Sequence, residues 1–225
     1  WLRLVDTFEL VLLEDKFLEE IQPQLKQHPL MTPADLQKIG SGHSLEDIQK
    51  LVDAKTAAPL MLGERLVGCV RQAHEVDATV TAHVIAENTS SKASGVLALR
   101  HLLNNAKIDP KEIDYIIECS EEACGDMNQR GGGNFAKAIG EFGGCLQATG
   151  SDTRGFCAAP AHAMVLAAGL VKSGIFRNVV VLAGGATAKL GMNGKDHVKK
   201  GMPILEDVLG GFAILISEND GVNPV

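Results

Sequence analysis

The sequence predicts an α/β fold, with one mixed, mostly parallel five-stranded sheet preceded by a small helical segment. Three observations carry this expectation. From about Arg71 onward, β-rich runs alternate with helical patterns, the order expected of parallel strands joined by crossover helices. The run Asn178-Val-Val-Val-Leu-Ala183 is apolar throughout, as a strand covered on both faces should be. From Ala158 to Val171 there is no charged residue, and six of those fourteen residues are alanine. A helix of that kind is expected to be buried on all sides, so something outside the sheet must help to cover it.

Residues 1–70 are expected to be helical and to form a small cap or an oligomer contact. Leu2 to Leu25 carries apolar residues at helical spacing until Pro23 interrupts. Thr32-Pro33-Ala34-Asp35 is a helix start, with a cap and proline at the first position. Ser44-Leu45-Glu46-Asp47 is another, of the capping-box type with Asp in the Glu place. Gly40, Gly42 and Gly63 punctuate these segments.

Residues 71–225 are expected to hold the sheet. Asp77 to Ile85 alternates as a strand would, and Thr89-Ser90-Ser91 then caps a helix running to Ala106. Asp109 to Ile113 turns into the short strand Asp114–Cys119, and Gly131-Gly132-Gly133 leads into a helix ending near Phe142. Cys145–Thr149 is the third expected strand, followed by the Cys157 helix, which Gly174 closes. Asn178–Ala183 and Gly211–Ile216 complete the set, the last free to run antiparallel because no helix precedes it.

Composition narrows the function classes. With 225 residues, 45% hydrophobic and 22% charged, the chain reads as one large globular domain, or one domain with an appendage. A net charge of −7 argues against a nucleic-acid surface. No stretch has the length and apolarity of a membrane span, and no secretory signal opens the chain. Five cysteines without a dense framework fit reduced thiols in a cytoplasm. Cys119 and Cys124 have no second pair to complete a zinc site, so no metal is expected, and no cofactor either. Beginning at Trp1 rather than Met, the chain is expected to be a piece of something longer.

Chemistry concentrates at Cys157, in Ser151-Asp-Thr-Arg-Gly-Phe-Cys-Ala-Ala-Pro-Ala-His162. A cysteine beside an apolar helix is commonly inert packing. Here the thiol falls at a helix start, where unpaired N–H groups and the helix dipole favour negative charge, as a covalent nucleophile needs. Gly155 permits a tight turn into the helix, and Pro160 suits its first turn. Gly155 and Phe156, immediately before the thiol, are candidate substrate contacts.

These features resemble the thiolase superfamily, in particular its ketoacyl-acyl-carrier-protein synthase III branch. The resemblance rests on Ile108-Asp-Pro-Lys-Glu-Ile-Asp-Tyr-Ile-Ile117, on Asp152 five residues before Cys157, and on Leu170-Val-Lys-Ser-Gly174 before the Val-rich strand. Glu206-Asp-Val-Leu-Gly-Gly-Phe-Ala213 is loosely similar to a further family segment. It implies one βαβαβαββ half of a two-half domain, with Cys157 as the acyl-carrying nucleophile and the second half, which supplies histidine and its partner, absent. Members pair through the third strand, which implies a homodimer. Phe8 to Glu14 and Glu118 to Asp126 are also similar to component C of the glycine/sarcosine/betaine reductases. That likeness implies acetyl transfer to phosphate, a second component C subunit, and a selenoprotein carrier as partner. A non-catalytic docking subunit and a condensing enzyme of lipid synthesis are the alternatives.

Other positions carry two readings each. Glu121 resembles the acid/base glutamate of hydroxymethylglutaryl-CoA synthases, or, with Glu122, is a solvated acidic turn. Arg130-Gly-Gly-Gly133 either cradles a phosphate or simply allows close backbone approach. The basic loop from Lys189 to Lys200 either steers an anion, with Lys189 and Asn193 as substrate contacts, or is plain solvated surface. His162 lies off the Cys157 face of the helix and is expected to be a packed or helix-contact histidine rather than a catalytic one.

Overall fold

A computed structural model describes residues 1–77, 80–120, 134–185, 194–202 and 210–222. Their contacts divide them into two compact units, Trp1–Thr89 and the described residues from Ser90 onward.

The first unit is not helical throughout. Helix α1 (Leu2–Val5) is followed by strand β1 (Val11–Leu13), helices α2 (Asp15–Gln27), α3 (Pro33–Ile39) and α4 (Leu45–Asp53), and strands β2 (Ala57–Leu62) and β3 (Arg65–Arg71). The strands form an antiparallel sheet in the order β1-β3-β2. The helical spacing of Leu2–Leu25 is therefore split by a strand, and α2 continues through Pro23. The stretch 57–71 is a hairpin: Leu62 pairs with Arg65 across a two-residue turn, and Gly63 has φ of 60°. Gly63 thus serves as a hairpin glycine rather than a helix stop. Both expected helix starts are present. Thr32 and Asp35 form a reciprocal capping box, and Ser44 accepts from the Asp47 N–H.

Helix α5 (Ala82–Ala106) crosses the boundary between the units. Its start corrects the strand expected over 77–85. Ala82, Ile85, Ala93, Val96, Leu99 and Leu103 are buried, at helical intervals, and this longer 3.6-residue period overrides a short alternating pattern.

The second unit contains β4 (Tyr115–Glu118), α6 (Phe135–Gly143), β5 (Thr149–Asp152), α7 (Ala159–Lys172), β6 (Asn178–Ala183), α8 (Gly194–Lys200) and β7 (Phe212–Ser217). Its sheet has the order β5-β4-β6-β7, parallel across the first three strands and antiparallel at β7. The α/β class and the mostly parallel sheet match expectation. The strand number does not, being four among the described residues because the first expected strand is helix. The third strand begins at Thr149, where it was expected to end, since Cys145–Ala148 turns back after α6.

Alternation along the strands sends Ile117, Val179 and Val181 to one face, where Ala159, Ala163, Ala167 and Val171 of α7 pack on them. The alanines keep that helix close to the sheet. Its opposite side is not covered as expected: Val165 is 72% exposed and Leu166 50% exposed. These two residues, with Tyr115, Gly169 and Ile175, line a groove of about 440 Å³. On the other face of the sheet α6 lies over Ile116, near enough that a side chain at Gly140 would meet Ile116 Cδ1 at 2.8 Å.

Candidate active site

The parallel strands β4, β5 and β6 end at one edge, where α/β sheets place their sites. The turn leaving β5 runs Thr153-Arg154-Gly155-Phe156 and enters a short 3₁₀ turn, Phe156–Ala158, before α7. Cys157 sits in that turn and is exposed. No side chain caps α7, and Pro160 lies in its first turn as expected. The N–H groups of Ala158 and Ala159 are taken up by the Gly155 and Phe156 carbonyls, and Pro160 has none, so what favours negative charge there is the helix dipole.

Phe156 has φ of 50° and is 69% exposed. A left-handed conformation at a residue with a Cβ costs about 1–2 kcal/mol, so the segments on either side must hold it. Downstream, Ala159 at the start of α7 is fully buried against the sheet. Upstream, the Thr153 N–H donates to the Glu118 carbonyl at 2.7 Å. Gly155 is constrained as well, because a Cβ there would lie 3.1 Å from His162 Nδ1. His162 is exposed, and its Nδ1 lies beside Gly155 of the turn that precedes the helix. Because Phe156 loses little burial on truncation, Phe156→Gly should be about 1 kcal/mol more stable than Phe156→Ala. Denaturant melts of the two variants check this, and equal midpoints would show the turn is unstrained.

An acidic pair lies beside the turn. Glu118 and Asp152 are register partners on adjacent strands. The Asp152 carboxylate accepts from the N–H groups of Phe135 (3.0 Å) and Ala136 (2.9 Å) at the start of α6. Arg154 Nη1 donates to Glu118 Oε2 at 2.6 Å, and Nη2 reaches Asp152 at 3.5 Å. The Ser120 N–H and hydroxyl both donate to Glu118 Oε1, and the Gly184 N–H donates to Ser120 Oγ at 3.2 Å. Full burial pushes the Glu118 carboxyl above the usual carboxylate range, against the pull of Arg154 and Ser120.

The sequence reading missed this network. Its signal was present: a glutamate ending the apolar run Tyr115-Ile-Ile-Glu118 needs a cation, and Arg154 follows the neighbouring strand. Of the expected site residues, the structure brings Cys157, Gly155 and Phe156 together on one turn. Glu121, Lys189 and Asn193 lie outside the described residues, as does Arg130–Gly133. Part of the expected basic loop is helix α8, which carries Lys195, Lys199 and Lys200 with Asp196 among them. Among the described residues, no group of three or more metal-binding side chains is clustered, and no helix is long and apolar enough to cross a membrane.

No family model matches the sequence. The glycine/sarcosine/betaine reductase complex component C subunit beta of Peptoclostridium acidaminophilum is 58% identical to the chain over 220 residues. The chain is a relative of that subunit. The match covers 98% of the chain but 43% of the relative, so the chain spans less than half the length of the curated protein it matches. Among solved structures, the acetamide-bound form of Xanthomonas campestris OleA is 15% identical, with a TM-score of 0.45 over 94% of this chain and 55% of that one. 3-Oxoacyl-[acyl-carrier-protein] synthase III from Aquifex aeolicus is 18% identical, with a TM-score of 0.41 over 67% of this chain and 41% of that one.

The cysteines of the chain should separate by reactivity. Burial pushes Cys69, Cys119 and Cys145 up to about 11, whereas Cys157 is exposed. Iodoacetamide at pH 8.5 is therefore expected to modify Cys157 in the folded chain while these three stay intact until it is unfolded. Peptide mass spectrometry reads the result, and equal labelling of the buried thiols would contradict the packing around them.

Proposed function

We propose that the chain is the acyl-carrying part of an acyltransferase, a component C-type subunit that holds an acetyl group as a thioester on Cys157 and passes it to phosphate. The observation that carries this reading is the placement of an exposed cysteine at the uncapped start of α7, at the strand-end edge of the sheet, in a chain 58% identical to a component C subunit. The thiolate attacks the acetyl carbonyl carbon, the C–S bond forms, and the bond to the acetyl donor breaks. A phosphate oxygen then attacks the same carbon, a C–O bond forms, and the thiolate leaves as acetyl phosphate departs. In this reading the oxyanion is served by backbone N–H groups, that of Cys157 included.

In this reading residues 71–225 are the first half of a thiolase-like domain. The exposed apolar side of α7 is the surface the second half covers, and that half supplies the proton shuttle. The α subunit of component C and a selenoprotein carrier are the partners, in the cytoplasm, and the subunit pairs with itself or with α.

The test is peptide mapping after incubating the intact subunit, second half included, with acetyl phosphate or acetyl-CoA. A hydroxylamine-labile acetyl group on Cys157 is the expected result, and the donor that works separates phosphorolysis from CoA-dependent transfer. If Cys157 stays unmodified while a partner subunit becomes acetylated, the chain is a docking subunit instead.

A further inference from the structure

We propose that Arg154 is a positioning residue for Cys157, fixing the turn that bears the thiol by gripping Glu118 on the neighbouring strand. The proposal rests on the reading of Cys157 as the nucleophile, and its geometry stands apart from that reading. Arg154 lies three residues before Cys157 and reaches across from the end of β5 to the end of β4, with Nη1 at 2.6 Å from Glu118 Oε2. The same nitrogen is 3.3 Å from its neighbour's carbonyl, Thr153 O, and 3.5 Å from Glu118 O, so the guanidinium grips backbone as well as carboxylate.

The sheet does not need a charge at this position. Glu118 ends a strand whose preceding residues Ile116 and Ile117 are buried, and its side chain is fully buried too. An apolar side chain there would spare the desolvation of an ion pair. What the pair supplies is direction. Glu118 joins β4 to the turn through Arg154, and to the end of β6 through Ser120 and the Gly184 N–H. Asp152, beside Glu118 in register, joins the same guanidinium to the first turn of α6. The three parallel strand ends are thereby locked to one another immediately upstream of the strained Phe156. A nucleophile held on such a turn keeps its place at the helix terminus, where small displacements are costly to rate.

The experiment uses the full-length subunit and the peptide-resolved rate at which iodoacetamide alkylates Cys157, a readout independent of acyl chemistry. Arg154→Ala is expected to slow alkylation at least about fivefold while Cys119 and Cys145 stay unmodified. Arg154→Lys, which restores a cation, should recover at least half of the lost rate. A folded Arg154→Ala protein with an unchanged Cys157 rate overturns the proposal. Should that variant fail to fold because Glu118 is left buried and unpaired, the double variant Glu118→Gln/Arg154→Gln removes both charges, and the same slowing is expected of it. An unchanged rate there overturns the proposal equally. Acetyl loading of the wild type is measured alongside. Its absence sinks the acyl-transfer reading, whereas positioning is judged by the alkylation rates alone.

Discussion

Cys157→Ala is expected to lower acetyl loading and acetyl phosphate formation at least about a thousandfold, the scale on which covalent enzymes lose activity without their nucleophile. Folding should barely register the change. The thiol is exposed in the turn before α7, and surface substitutions of this kind stay within about 0.5 kcal/mol, or roughly 2 °C in melting temperature for a chain of this size. This pairing of large kinetic loss with unchanged stability separates a nucleophile from a packing cysteine. The buried thiols offer no substitute, because Cys69, Cys119 and Cys145 are enclosed and pushed up to about 11. Steady-state assays and thermal melts on the intact subunit decide the matter. Retained turnover in the alanine variant would move the chemistry to another chain.

Gly184→Ala is expected to have the opposite signature, a loss of stability of about 3 kcal/mol and a melting temperature about 6–12 °C lower. Gly184 follows β6 where it passes α5, and a Cβ there would overlap the Ser91 carbonyl oxygen and lie 2.9 Å from Ser91 Cα. These are backbone atoms, so no side chain can rotate out of the way. The neighbouring bonds, Gly184 N–H to Ser120 Oγ and Gly185 N–H to Ser94 Oγ at 2.8 Å, would be displaced together. With both variants made in this chain alone, Gly169 on α7 is the control. A Cβ there meets nothing within 4 Å, so Gly169→Ala should be neutral or stabilising by about 0.5–1 kcal/mol. If Gly184→Ala melts with the wild type, strand and helix are not in that close contact.

Where the sequence was readable, local chemistry and tertiary packing agreed. Asn178–Ala183 lacks any polar side chain after Asn178 and becomes the interior strand β6, and Thr32–Asp35 and Ser44–Asp47 cap helices as their side chains dictate. Where it misled, a short pattern admitted two periods. The apolar positions of 77–85 fit a strand, but Ile85 lies in the helical series that continues through Ala93, Val96, Leu99 and Leu103. The hairpin 57–71 was hidden because a lone Gly63 resembles helix punctuation, and its place beside β1 depends on residues more than forty positions earlier. At the site, the Cys157 turn was legible because Gly155, the thiol and Pro160 lie within six consecutive residues. The Glu118–Arg154 grip was not, since its partners are 36 residues apart and meet only once β4 and β5 are side by side.

The strand order has a consequence for how the chain assembles during synthesis. β4 is flanked by β5 and β6, and its Tyr115 pairs with Thr149 on one side and Val179 on the other. A growing chain can complete α5 and its capped turns from local contacts, but β4 must wait for both partners before its hydrogen bonds are filled on both edges. The Cys157 turn lies between those two partners in the chain. The Cys157 thiol therefore emerges before the strand on which α7 packs, and its turn is set in place only when β6 joins the sheet.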